Sequence, residues 1–160
     1  MADRRKIWLR IMLWVLAAAW MGLIFGFSRE NDFQSDQTSD GVIRWALEHF
    51  DGEFSAMSPA DQARRIDAWS FPVRKLAHLG IFAGLGFLCF AAFLADLPSR
   101  RAFLAALILG TVRGVLDELQ QAFTPGRSCE LMDMCIDAAG TLLGAAFLLL
   151  ILRLTQRKKA

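Results

Sequence analysis

Between residues 113 and 137 the chain reads R-G-V-L-D-E-L-Q-Q-A-F-T-P-G-R-S-C-E-L-M-D-M-C-I-D. Arg113, Asp117 and Gln121 recur every four residues, so on a helix they share one face. Glu118 sits about 100° further round and joins the edge of that face. Thr124-Pro125-Gly126 then stops the helix, because proline cannot continue it and glycine permits a tight reversal. Beyond the turn Asp133 and Asp137 are again four apart, so two acidic faces meet across a short connection. Together with His78, such carboxylates could work as an acid–base pair, hold a hard cation such as Mg²⁺ or Mn²⁺, or form a network with arginine. Spacing alone does not choose among these. No HExxH, Walker loop, GxSxG or CxxC accompanies the carboxylates.

The elements that must position these groups are apolar. Of the 160 residues, 55% are hydrophobic and mean hydropathy is +0.36, which is too apolar for an ordinary soluble domain of this size. The apolar residues come in runs of about 20, the length that spans a bilayer. Four runs can be drawn, at about 7–27, 75–97, 102–123 and 131–152. The expected fold is therefore all-α: one domain over 1–160, a four-transmembrane-helix bundle. The first run contains Ala17-Ala18-Ala19, which imitates a signal-peptide cleavage site, but apolar sequence continues through Phe27 and favours a retained helix.

The first loop, about 28–74, is polar and net acidic. Apolar residues at helical spacing in V-I-R-W-A-L-E-H-F, residues 42–50, predict a short amphipathic surface helix. Ser58-Pro59-Ala60-Asp61 reads as an N-cap with proline at N1 and an acid at N3, opening a second short helix that closes near Trp69. Small residues around Gly80 and Gly84, at Gly110 and Gly114, and at Gly140 and Gly144 predict close helix contact. Three cysteines without a CxxC pair argue against a disulfide framework, so they read as packing residues, with Cys129 set apart in an outer loop.

Basic residues at the N-terminus, at Pro98-Ser99-Arg100-Arg101 and in the C-terminal tail place all three in the cytoplasm by the positive-inside rule. The acidic loop and the 124–130 turn then face outward. The net charge is only +2 and no basic stripe interleaves with aromatics, so lipid rather than nucleic acid is the expected partner. With this topology Ser28, Arg74, Lys75, His78, Arg113, Asp117, Glu118, Gln121, Arg127, Asp133 and Asp137 gather in the outer half of the bundle. Facing lipid, Arg113, Asp117 and Glu118 would cost roughly 3 kcal/mol each, about 9 in all. Some ten apolar neighbours return only about 3–6 kcal/mol. The polar face must turn inward or meet water. Arg113–Asp117 could be a plain intrahelical ion pair, Asp133 a helix cap, His78 an interfacial histidine and Arg127 a snorkelling side chain. Their convergence on one layer favours a site.

The string from Asp117 to Gly144 resembles the signature of the VanZ-like family, D-E-x-x-Q-x-F-x-P-G-R, a short gap, then D-x-x-x-(D/N)-x-x-G-x-x-x-G. Arg74-Lys75-Leu76-Ala77-His78 is similar to the family's R-K-x-A-H, and Ser28 to a common serine. Two positions depart: Ile81 and Phe82 stand where many members carry Glu and Tyr, and position 137, often Asn, is Asp. If the family's extra carboxylate takes part in an activity, Asp137 has to replace it here. The resemblance implies a multi-pass protein of the bacterial cytoplasmic membrane. It also implies a cell-envelope role tied to susceptibility to glycopeptide or lipoglycopeptide antibiotics such as teicoplanin. The expected ligands are membrane lipids, a lipid-linked envelope precursor or the drug, with Arg74, Lys75, Arg113, Gln121 and Arg127 binding. His78, Asp117, Glu118, Asp133 and Asp137 are the candidates for chemistry. An intramembrane enzyme acting on an outer-leaflet lipid or lipid-linked phosphate, and a structural scaffold, are the rival readings.

Overall fold

The computed structural model describes residues 2–29 and 32–157. It contains α1 (Ala2–Phe27), α2 (Asp32–Phe50), α3 (Pro59–Phe93), α4 (Ser99–Gln121) and α5 (Leu131–Arg157), with a 3₁₀ turn at Phe54–Ala56. No strand occurs among the described residues. Helices α1, α3 and α5 are long and apolar enough to cross a membrane. The expected fourth span, α4, is long enough but carries Arg100, Arg101, Arg113, Asp117 and Glu118, and it is not among them.

The first loop departs from expectation. Helix α2 begins at Asp32, well before Val42. The short helix expected to close near Trp69 does not close; it runs on through Pro72 into the apolar segment as one helix of 35 residues. Its start is as anticipated: the Ser58 hydroxyl accepts the Asp61 N–H at 3.2 Å, a cap that contributes about 1 kcal/mol. Pro72 lacks an N–H, so the rung to the Ala68 carbonyl is missing. The helix continues through that defect, with packed residues on both sides of it. Ile66 is buried with Ile43 of α2 and Phe54, and Val73, seven residues on and on the same stripe, packs against them. Helix α3 also ends earlier than expected, at Phe93, and residues 94–97 turn back on its last carbonyls.

Helix α3 is central and touches each of the other four. Its buried residues Phe82, Leu85, Cys89 and Phe90 meet Ala17 and Ile24 of α1, Ala102 and Ala106 of α4 and Ala145 of α5. Thr141 of α5 meets glycines of two helices. A Cβ on Gly86 of α3 would lie 2.1 Å from the Thr141 carbonyl oxygen, and one on Gly110 of α4 would lie 2.3 Å from Thr141 Cγ2. A Cβ on Gly144 would lie 1.8 Å from the Ala83 carbonyl oxygen, and one on Gly140 would lie 2.4 Å from that of Leu79. The Gly140/Gly144 pair thus lets two backbones meet directly. The α3 pair divides: Gly84 lies under the Trp20 ring, whereas nothing is within 4 Å of Gly80. Of the cysteines, Cys89 is packed as expected, while Cys129 and Cys135 are both exposed.

The distribution of polarity is inverted relative to a soluble bundle. Ile7, Trp8, Leu104, Ile108, Val112, Leu143 and Phe147 face outward, while Ser28, Asp117, Glu118, Gln121, Asp133, Asp137 and Thr141 are buried. An apolar girdle of this extent suits a lipid solvent. The buried polar groups are turned toward the other helices, the arrangement that ionisable groups inside a membrane bundle require.

Candidate functional site

The antiparallel packing brings the C-terminal ends of α1 and α4 together with the start of α5 and the middle of α3. At that end Asp117 is held by three donors. Arg113 Nη1 lies 3.0 Å from its Oδ1, and Gln121 Nε2 donates to Oδ2 at 3.0 Å. The Ser28 hydroxyl also donates to Oδ1. Ser28 Oγ lies 2.8 Å from the Ile24 carbonyl as well, and its single proton serves one acceptor at a time. The i, i+4, i+8 face read from spacing is therefore real: one carboxylate with a guanidinium a turn below and an amide a turn above.

Across the bundle His78 Nδ1 lies 3.1 Å from Asp137 Oδ1. Asp137 can come this close to α4 because Gly114 has no side chain; a Cβ there would lie 2.9 Å from Asp137 Cβ. Glu118 Oε2 accepts the backbone N–H of Glu130 at 2.8 Å. This bond ties the end of α4 to the start of α5. Between them Pro125 and Gly126, with Gly126 at φ 82° and the Arg127 N–H bonded to the Thr124 carbonyl, make a type II turn. Lys75 bridges two carboxylates at the rim, Asp133 at 2.6 Å and Glu130 at 2.9 Å. Asp133 also sits in the first turn of α5, where an acid favours the positive end of the helix, as the sequence reading allowed for it.

Polar side chains at the centre are incompletely satisfied. Glu118 Oε1, Asp137 Oδ2 and Arg113 Nη2 are buried and find no hydrogen-bond partner among the described residues. Each of His78, Asp117, Glu118 and Asp137 offers a donor atom within 4.8 Å of the others. These four belong to the hard-donor set expected for a divalent cation, while Asp133 is drawn away to Lys75.

Beside them opens a cavity of about 200 Å³. Its polar wall is Ser28, His78, Asp117 and Gln121, with Arg74 and Arg127 also lining it, and its apolar wall is Ile24, Phe27, Ile81 and Phe82. Helix α2 covers it with Ser35, Thr38 and Ser39. Those three hydroxyls fall at i, i+3 and i+4. The sequence reading passed over them, although that spacing was visible. It also passed over Glu130, which binds both Lys75 and Glu118, and Trp20, whose indole donates to the Ile81 carbonyl at 2.8 Å. Lys75 and Arg113, expected to bind, are not among the residues lining the cavity; Arg113 pairs with Asp117 of its wall, and Lys75 with Asp133 and Glu130 at the rim.

A family model described as VanZ/LLP1 matches residues 13–153. The chain belongs to that family. The match takes in every group of the site, from Ser28 just after α1 to Asp137 on α5, so the site is part of the VanZ/LLP1 domain and not an appendage to it. No curated protein and no solved structure matches the chain.

Proposed function

We propose that this VanZ/LLP1 protein is a multi-pass cell-envelope membrane protein whose buried site takes the anionic head group of an outer-leaflet amphiphile. The supporting observation is the make-up of one cavity: Arg74, Arg127, hydroxyls, His78, Gln121 and an Arg113-paired Asp117 on one wall, Ile24, Phe27, Ile81 and Phe82 on the other. A polar head and an apolar tail both find their solvent there. Hydrogen-bond donors in a low-dielectric site bind phosphate or carboxylate strongly, and the outward apolar girdle gives a lipid lateral access.

In this reading α4 is the fourth span, its charges turned onto α1, α3 and α5, and α2 lies at the interface with Trp45 and Phe50 exposed as anchors. Both termini are cytoplasmic, the membrane is the bacterial cytoplasmic one, and the cavity opens to the outer leaflet. Glycopeptide drugs and the lipid-linked precursors they capture meet at that leaflet, so altered susceptibility to teicoplanin and its relatives is the expected phenotype. Chemistry on a lipid-linked phosphate is the second reading; it is favoured by the His78–Asp137 pair, which has the form of an acid–base unit.

The test compares growth inhibition by several envelope-active drugs in deletion, wild-type and Asp117→Asn strains at matched membrane levels. A mutant present in the membrane but behaving as the deletion supports the reading. A mutant indistinguishable from wild type across all the drugs contradicts it. A mutant absent from the membrane favours the scaffold reading.

A further inference from the structure

Four carboxylates crowd the centre of the bundle, and they are partnered unequally. Arg113 offsets Asp117, and Lys75 is shared by Asp133 and Glu130. Glu118 and Asp137 are both fully buried; Asp137 meets the His78 imidazole and Glu118 the Glu130 backbone N–H. Each also turns one oxygen, Glu118 Oε1 and Asp137 Oδ2, to a place where no described donor meets it. A buried carboxylate oxygen left bare is costly, and a proton, a water or a cation removes the cost.

The geometry favours the cation. Donor atoms of His78, Asp117, Glu118 and Asp137 lie within 4.8 Å of one another. Opposite ligands of an octahedral ion are separated by twice the metal–oxygen distance, about 4.2 Å for Mg²⁺ and about 4.6–5.2 Å for Ca²⁺. As it stands the spread suits an ion of Ca²⁺ size, and a contraction of about 0.6 Å would close it on Mg²⁺. The choice between them falls to the donor types, since Ca²⁺ takes oxygen ligands and His78 brings a nitrogen. The surroundings are also those of a ligand set. Ligating carboxylates are themselves hydrogen-bonded, and Asp117 is fixed by Ser28, Arg113 and Gln121, Glu118 by the Glu130 N–H. Three carboxylates with one imidazole suit Mn²⁺ or Mg²⁺, whereas a softer ion would call for thiolates or more histidines.

We infer that His78, Asp117, Glu118 and Asp137 form a divalent-cation site of the Mg²⁺/Mn²⁺ class between α3, α4 and α5. It deepens the head-group reading and rests on it in one respect. A cation beside the cavity gives a phosphoryl or carboxylate head a direct ligand, in addition to the arginines.

The test is Mn²⁺ titration of the full chain in nanodiscs, followed by electron paramagnetic resonance. One saturable Mn²⁺ per chain is expected, displaced by Mg²⁺ and carrying nitrogen modulation from histidine. Glu118→Gln and Asp137→Asn should weaken it by more than the roughly 10–100-fold that loss of an outer-shell partner costs. His49→Gln, the other histidine of the chain, should leave it unchanged. Wild-type protein that leaves the free Mn²⁺ signal undiminished overturns the inference whatever the variants do. So does bound Mn²⁺ without nitrogen modulation, or binding that survives in both folded carboxylate variants. Repeating the titration in phosphatidylcholine discs with and without phosphatidic acid separates the two readings. Phosphatidic acid held equally in EDTA, with no Mn²⁺ site, sinks the cation and keeps the cavity. Mn²⁺ bound with no preference for phosphatidic acid sinks the head-group reading and keeps the cation.

Discussion

Glu118, near the end of α4, accepts the backbone N–H of Glu130 at 2.8 Å across the Pro125-Gly126 turn. The same carboxylate thus fastens a turn and presents its second oxygen to the centre of the bundle. The two roles separate by substitution. Glu118→Gln keeps a carbonyl oxygen for the Glu130 N–H, whereas Glu118→Leu leaves that donor bare, at a cost of about 1–3 kcal/mol. In metal-free detergent solution Glu118→Gln should melt close to wild type and Glu118→Leu well below it. Equal melting of the two would show that the turn does not depend on this bond.

Glycine positions on facing helices should respond with opposite sign. A Cβ at Gly144 meets the Ala83 backbone, which cannot move aside, so Gly144→Ala should destabilise by about 1–3 kcal/mol or more. Gly80 has open space around it, and Gly80→Ala should stabilise by about 0.5–1 kcal/mol through helix propensity alone. Thermal unfolding of the pair checks this; a Gly144→Ala protein as stable as wild type would mean α3 and α5 are not in backbone contact.

At the corner between α2 and α3, Arg65 donates to the Asp51 carboxylate at 2.8 Å. That hydrogen bond, with the Glu53 N–H helping, holds the Asp51 carboxyl below its ordinary value of 3.8. An acid with a depressed pKa adds stability above its unfolded value and loses it as pH falls through the folded one. The corner should therefore loosen only below pH 3.8 and be indifferent to pH in the neutral range. A carbon-13 titration of Asp51 should place its midpoint below 3.8 in wild type and nearer 3.8 in Arg65→Gln. A wild-type midpoint at or above 3.8 removes the ion pair from the account.

Cys129 lies exposed in the 124–130 turn, which gives a direct test of orientation. With Cys89 and Cys135 replaced by alanine, a membrane-impermeant maleimide should label Cys129 in intact cells. Labelling that requires lysis would invert the topology and put the cavity in the inner leaflet.

What spacing within one helix dictates was legible from the residues. Arg113, Asp117 and Gln121 share a face because helical periodicity leaves no choice. Ser58 caps α3, Pro125 and Gly126 make the turn, and Gly140 and Gly144 mark a contact. Choices made between helices were not legible. Lys75 could have reached any of several acids, and packing assigns it Asp133 and Glu130. Pro72 reads locally as a stop, yet Ile66 and Val73 carry the helix past it by packing against α2. Gly80 and Gly84 look alike in sequence, and only the position of Trp20 tells them apart.

Thr141 touches two helices at once, its carbonyl against Gly86 and its methyl group against Gly110. These contacts constrain inheritance differently. A side chain at position 110 meets only a side chain, so a lineage can acquire alanine there once residue 141 has become smaller. A side chain at position 86 meets main chain, and no change at 141 can make room for it. Second-site suppression should therefore rescue substitutions at 110 and fail at 86, leaving 110 and 141 free to drift as a coupled pair while 86 stays fixed.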